Sequence, residues 1–218
     1  LTASNRQRRQ GAGFPSPDPA PGFDEDGAPA PARPGADGRR RRSGPSPEQD
    51  PDADPAAVAR AIVLRQLTSS PKSRLQLARK LAERNVPEDV AEAVLDRFEE
   101  VRLVDDAEFA DMWVRGRSQS RKLAKGALRR ELADKGIDPE VAAVALEQLS
   151  DEDEEAAARE LVERKLRGAT GLGDRELRDK ATRRLASMLA RKGYQPSQAF
   201  RIVGEVLDAA AAREEAQA

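Results

Sequence analysis

Between Asp111 and Glu131 the chain carries no acidic residue, while Arg115, Arg117, Arg121, Lys122, Lys125, Arg129 and Arg130 place seven cations within sixteen positions. Cations at that density can hold several phosphates of a nucleic-acid backbone or the walls of an acidic protein groove. The same run also fits a solvated helix face with ordinary helix-end charge, so contact with a partner and plain solvation both stand. Trp113 lies just before the run and could stack on a base, but its spacing from Phe109 puts both rings on one helical face and favours burial. A second basic run, Arg39 to Arg42, could touch nucleic acid loosely, but acidic residues are as frequent around it. Gly168, Gly171 and Gly173 follow no strand and lead to no Gly-Lys-Ser/Thr, so they read as a flexible connection and not as a phosphate loop.

Other chemistries lose their participants. The chain has no cysteine and no histidine, which removes disulfides, thiolate and imidazole metal sites, thiol nucleophiles and any histidine acid or base. Acidic residues are plentiful, but none forms a recognisable pair in an expected cleft, so neither a catalytic residue nor a cofactor or metal is expected. With 38 basic and 39 acidic residues the net charge is −1, and any electrostatic function must come from local clustering. No apolar run approaches a membrane span or a secretory leader. A cytoplasmic monomer is expected.

These residues must be positioned by elements that begin only after Asp54. Eleven of the 15 prolines and seven of the 15 glycines fall in residues 1–55. A segment so poor in aliphatic side chains cannot offset its ordering entropy, and residues 1–53 are expected to form a disordered Pro/Gly/Arg-rich tail. Beyond it, Leu77 to Leu95, Leu128 to Leu146 and Leu185 to Val203 align without gaps, at offsets of 51 and then 57 residues. In each copy a helical run ends in a basic residue, a turn residue and a β-branched or aromatic residue, and a second helical run follows. Arg84, Lys135 and Lys192 suit a last helical turn, Asn85, Gly136 and Gly193 a left-handed cap, and Val86, Ile137 and Tyr194 a corner cover. This signature is read as structural.

Helix starts are expected at Asp54-Pro55, at Ser70-Pro71, at Pro87, and at Asp105 with Glu108 in capping-box spacing. Further helices are read over Ala124 to Lys135 and Pro139 to Leu149, from the acidic cluster at Asp151, over Arg175 to Arg191, and through the stripe Ala199, Ile202, Val203, Val206, Leu207 and Ala210. The fold class is all-α: an elongated array of three three-helix repeats, nine helices in all, at 54–104, 105–150 and 151–212, with a C-terminal tail at 213–218.

Three segments in order, Ser73 to Asn85, Leu103 to Trp113 and Gly126 to Ile137, resemble the RecX family of bacterial recombination regulators over about Pro55 to Leu207. The most specific stretch is LVDDAEFADMW, followed by the Arg-rich connection and Glu-Leu-Ala-Asp-Lys-Gly-Ile. Asn85 stands where that family usually has glycine, and the long tail is no part of its pattern. The resemblance implies a curved, all-helical regulator of recombination, DNA repair and the SOS response that lies in the groove of a RecA filament on DNA. It implies suppression of ATP hydrolysis, filament growth and strand exchange, with the seven middle cations as contacts to RecA or DNA. The alternative reading is a helical repeat protein whose main ligand is single- or double-stranded nucleic acid, bound through the same basic segment.

Overall fold

Asp54 opens the first helix by taking the N–H groups of Ala56 and Ala57, each at 3.2 Å, with Pro55 at the first helical position. The computed structural model describes residues 54–216, so the expected N-terminal tail and its Arg39 to Arg42 run lie outside the described residues. Those described residues form nine helices and no strands. They are α1 (Pro55–Ser69), α2 (Arg74–Ala82), α3 (Glu88–Glu100), α4 (Asp106–Arg121), α5 (Lys125–Asp134), α6 (Pro139–Leu146), α7 (Asp151–Leu166), α8 (Arg175–Arg191) and α9 (Pro196–Glu215). None of the described helices is long and apolar enough to cross a membrane.

Side-chain chemistry moves several boundaries. Ser70-Pro71 does not start α2; Ser73 does, because its side chain accepts the N–H of Gln76 while the Gln76 side chain takes the N–H of Ser73. A second reciprocal box joins Ser150 and Asp153 at α7. At α4 the carboxylate of Asp105 takes the N–H groups of Ala107 and Glu108, and the expected return bond from the Glu108 side chain is not formed. Helix α6 stops at Leu146 where a run to Leu149 was expected, and Leu149 is tied back by one turn bond to Leu146. Helix α9 continues past Ala212 to Glu215, into the stretch read as a C-terminal tail. Glu214 explains this extension, since its carboxylate accepts the N–H groups of Gly171 and Leu172 in the α7–α8 loop.

Each triplet of helices encloses its own core. Ile62, Val63, Leu77, Leu81, Leu95 and Phe98 fill the first; Phe109, Trp113, Val114, Leu128, Leu132 and Leu146 fill the second. Leu161, Val162, Leu185, Leu189, Ile202 and Leu207 fill the third. Burying one such side chain contributes about 1.5–3 kcal/mol, so these clusters and not helix propensity hold the units.

The corner signature closes all three units by one hydrogen-bond pattern. The N–H of Val86, Ile137 and Tyr194 reaches back to the carbonyl of Leu81, Leu132 and Leu189 at 3.2, 3.0 and 3.2 Å. The residue between is left-handed each time, with φ of 57° at Asn85, 78° at Gly136 and 90° at Gly193. This is the Schellman arrangement. A fourth corner of the same kind, with Arg102 at φ 55° and Leu103 bonded back to Phe98, leads from α3 to α4.

The corners also join the units. The carbonyl of Lys135 accepts the Ser73 hydroxyl at 2.7 Å, and the carbonyl of Lys192 accepts the N–H of Ala124 at 3.0 Å. Ser73 and Ala124 occupy equivalent positions, one repeat apart, just before the second helix of their units. The next N–H in each case goes to an acid on the following unit: Arg74 to Asp106 at 2.8 Å, Lys125 to Glu154 at 2.5 Å. One clasp is therefore used twice.

Across α7 and α9 the third unit carries a partly exposed quartet, Glu155, Arg159, Arg201 and Glu205, linked by four salt bridges of 2.5–3.2 Å. Hydrogen bonds from Arg201 and Arg159 hold the Glu155 and Glu205 carboxyls below their usual value near 4.5. A carboxyl lowered in the folded state adds stability that is complete above its unfolded pKa and is lost as pH falls through the folded one. Urea denaturation from pH 7 down to pH 3 should therefore show a loss of stability below about pH 4.5 that Glu155→Gln makes smaller. An unchanged acid limb in that variant would contradict the assignment.

Candidate interaction surface of the middle unit

Trp113 sets the geometry beneath the basic run. It is 1% exposed, stacks on Phe109 with ring centroids 5.6 Å apart, and donates its indole N–H to Glu131 at 2.8 Å. Arg117, one turn further along α4, lies 4.4 Å from the indole centroid and 3.3 Å from the same Glu131 carboxylate. Lys135 approaches the ring at 4.7 Å. Arg117 is only 5% exposed, so of the seven candidate cations this one belongs to the interior and supports the surface from below.

The other six divide into two groups. Arg115 and Arg121 on α4 and Arg129 and Arg130 on α5 are exposed. No carboxylate among the described residues pairs with any of these four. Lys122 and Lys125 are half-buried and engaged: Lys122 with Glu160 at 3.0 Å, Lys125 with Asp151 at 2.8 Å. Lys122 ends α4 in a left-handed conformation, φ 51°, and its carbonyl accepts the Tyr194 hydroxyl at 3.1 Å. Burial, then the charges of Glu154 and Glu160, raise the Tyr194 pKa well above its usual value, which keeps the phenol a donor.

A cleft of about 550 Å³ opens beside this surface between the second and third units, lined by Arg115, Gln119, Lys122, Gln148, Glu160 and Tyr194 among others. The acids of the α7 start, read from sequence as a helix-start signal, reach back into this joint through Asp151 and Glu154. Two cations join the neighbourhood that the basic run did not include. Lys192 donates to the carbonyl of Arg121 at 2.5 Å, and its pKa is lowered by burial and then by the charges of Arg164 and Arg121. Arg164 stands one helical turn beyond Glu160, and that spacing was its only signal in the sequence. Among the described residues no group of three or more acids could hold a metal ion.

The surface can thus present four unneutralised guanidinium groups from two helices whose relative position is set by the Trp113 core. Guanidinium forks match carboxylates and phosphates bidentately. The signature residues Arg84, Asn85, Val86, Lys135, Gly136, Ile137, Lys192, Gly193 and Tyr194 form corners, and in the second and third copies also the clasps.

Known proteins resemble this chain in sequence and in fold. Residues 105–146 match the family model described as RecX, second three-helix domain, and residues 59–98 match RecX, first three-helix domain. A regulatory protein RecX of Streptomyces coelicolor is 52% identical over 155 residues, covering 71% of this chain and 80% of that protein. One from Thermobifida fusca is 48% identical over 156 residues, covering 72% and 82%. The crystal structure of RecX from Lactobacillus salivarius superimposes with a TM-score of 0.60 at 19% identity, covering 71% of this chain and 97% of that one, a likeness of fold.

Proposed function

The chain belongs to the RecX family of regulatory proteins, and from that membership we propose that it regulates homologous recombination and DNA repair without catalysing a reaction. In this reading it is a cytoplasmic protein that binds the RecA filament and restrains its ATP hydrolysis, extension and strand exchange. The observation that carries the proposal lies in the middle unit, where Arg115, Arg121, Arg129 and Arg130 stand exposed and, among the described residues, without a carboxylate partner. Separate contacts of this kind add along an extended surface, so no single one has to be strong.

Titration of the protein against RecA on single-stranded DNA tests this directly. ATP turnover should fall with added protein, and filaments should stop lengthening. Unchanged turnover and unchanged filament length would contradict the proposal.

The same four arginines favour a second reading, in which naked nucleic acid is the main ligand. Four phosphate contacts on a single strand would give a slope of log affinity against log salt of about −3. Binding that ignores salt would remove this reading.

A further inference from the structure

We propose that the joint between the middle and third units is a latch that an anionic partner opens, by taking Lys122 and Lys125 away from Glu160 and Asp151. Partner binding and the angle between the two units are then linked. The inference rests on the reading of the middle unit as the partner-binding surface and adds how that surface is regulated.

Comparison of the two joints carries the argument. Both use the clasp described above, but the first is closed by a hydroxyl and an apolar cap: Ser73 on the Lys135 carbonyl and the Leu75 side chain seated on Gly136, where an added Cβ would lie 2.5 Å from it. In the second, the equivalents of Ser73 and Leu75 are Ala124 and Gly126, so both of those contributions are missing. Cations take their place. Lys122 and Lys125 pair across the joint with Glu160 and Asp151, and Lys192 reaches across to the Arg121 carbonyl.

Those pairs are exchangeable. The Asp151 side chain is 90% exposed and that of Glu160 56%, so each bridge competes with water and salt and is weak. Arg121, Arg164 and Lys192 also gather there, and among the described residues none of the three is bridged to a carboxylate. An incoming carboxylate or phosphate gains from those unbridged cations, while Glu160 and Asp151 lose little by returning to water.

The joint has a pivot that survives release of the latch. Backbone meets backbone where Gly126 faces the Gly193 carbonyl and Gly193 faces Ala127, and the Ala124 side chain stays within the core of the third unit. Opening is therefore a change of angle about this contact and not a separation.

Because the chain has no cysteine, Ala143→Cys on α6 with Ala209→Cys on α9 gives an unambiguous spin-label pair across the joint, and Ala107→Cys with Ala143→Cys a control pair inside the middle unit. Adding RecA filaments on single-stranded DNA should shift the first distance and leave the second unchanged. By the reciprocity of linkage, Asp151→Asn with Glu160→Gln should broaden the first distance without partner and tighten filament binding about threefold to tenfold. The charge controls Glu152→Gln with Glu163→Gln, which remove as much charge from the same helix, should change affinity less than about twofold. Binding with no distance shift, or equal effects of the two double variants, overturns the latch and leaves the binding surface intact; absence of filament binding overturns both.

Discussion

Replacing Trp113 with alanine is expected to cost about 3–5 kcal/mol and to melt the middle unit. The indole is the largest fully buried side chain in the described residues and the residue on which the second core turns. Its removal opens a cavity beneath Phe109, takes the N–H partner from Glu131 and leaves Arg117 and Lys135 without the ring they lie against. Desolvated cations and carboxylates deprived of a partner add to the loss. Trp113→Phe keeps an aromatic surface but not the donor, and a smaller loss of about 1–3 kcal/mol is expected from the hydrogen bond that Glu131 loses while it keeps its contact with Arg117. Guanidinium denaturation followed by far-ultraviolet circular dichroism separates the two variants. If Trp113→Ala unfolded at the wild-type midpoint, the account of this core would be wrong.

Gly193→Ala is the second large effect, because two independent penalties fall on one methyl group. The residue sits at φ 90°, where an L side chain is strained, and the added Cβ would lie 2.2 Å from the backbone nitrogen of Ala127. That neighbour is backbone at the start of α5 and cannot swing away. A loss of about 2–5 kcal/mol follows, expressed as separation of the middle and third units. Gly204 supplies the contrast: it lies inside α9, no atom stands within 4 Å of its would-be Cβ, and its replacement by alanine should stabilise by about 0.5–1 kcal/mol. Thermal melts of both variants give the comparison, and equal shifts in one direction would contradict the clasp.

The corners were readable from the chain because few residue types tolerate a left-handed cap, and Asn85, Gly136 and Gly193 are among them. The Arg102 corner makes the same backbone bonds but is built on an arginine, so nothing in its residue type marks it. The start of α2 was misplaced because Ser70-Pro71 has the form of a cap, although Ser73 and Gln76 stand at capping-box spacing; the bond from Ser73 to Lys135, 62 residues away, adds to that local cap. Such a contact leaves no trace in local spacing. Arg117 shows a subtler limit. Its charge suggested the surface, yet it follows Trp113 at the spacing by which Trp113 follows Phe109, and that shared face carries it inward. The acidic start of α7 was legible as a helix start but not as the far side of a joint, since its partner Lys125, which meets both Asp151 and Glu154, belongs to the preceding unit.

What separates the exposed arginines from the rest of the basic run is that no carboxylate of the described residues pairs with them, and that distinction can be measured. In a titration of RecA ATP turnover on single-stranded DNA, Arg129→Glu with Arg130→Glu should raise the concentration needed for half-maximal inhibition by about tenfold or more. Arg175→Glu with Lys180→Glu, an equal charge reversal on exposed and unbridged positions of α8, should move it less than about threefold. Equal inhibition by the two double variants, each with a wild-type melting curve, would contradict the assignment of the middle unit as the surface that meets the filament.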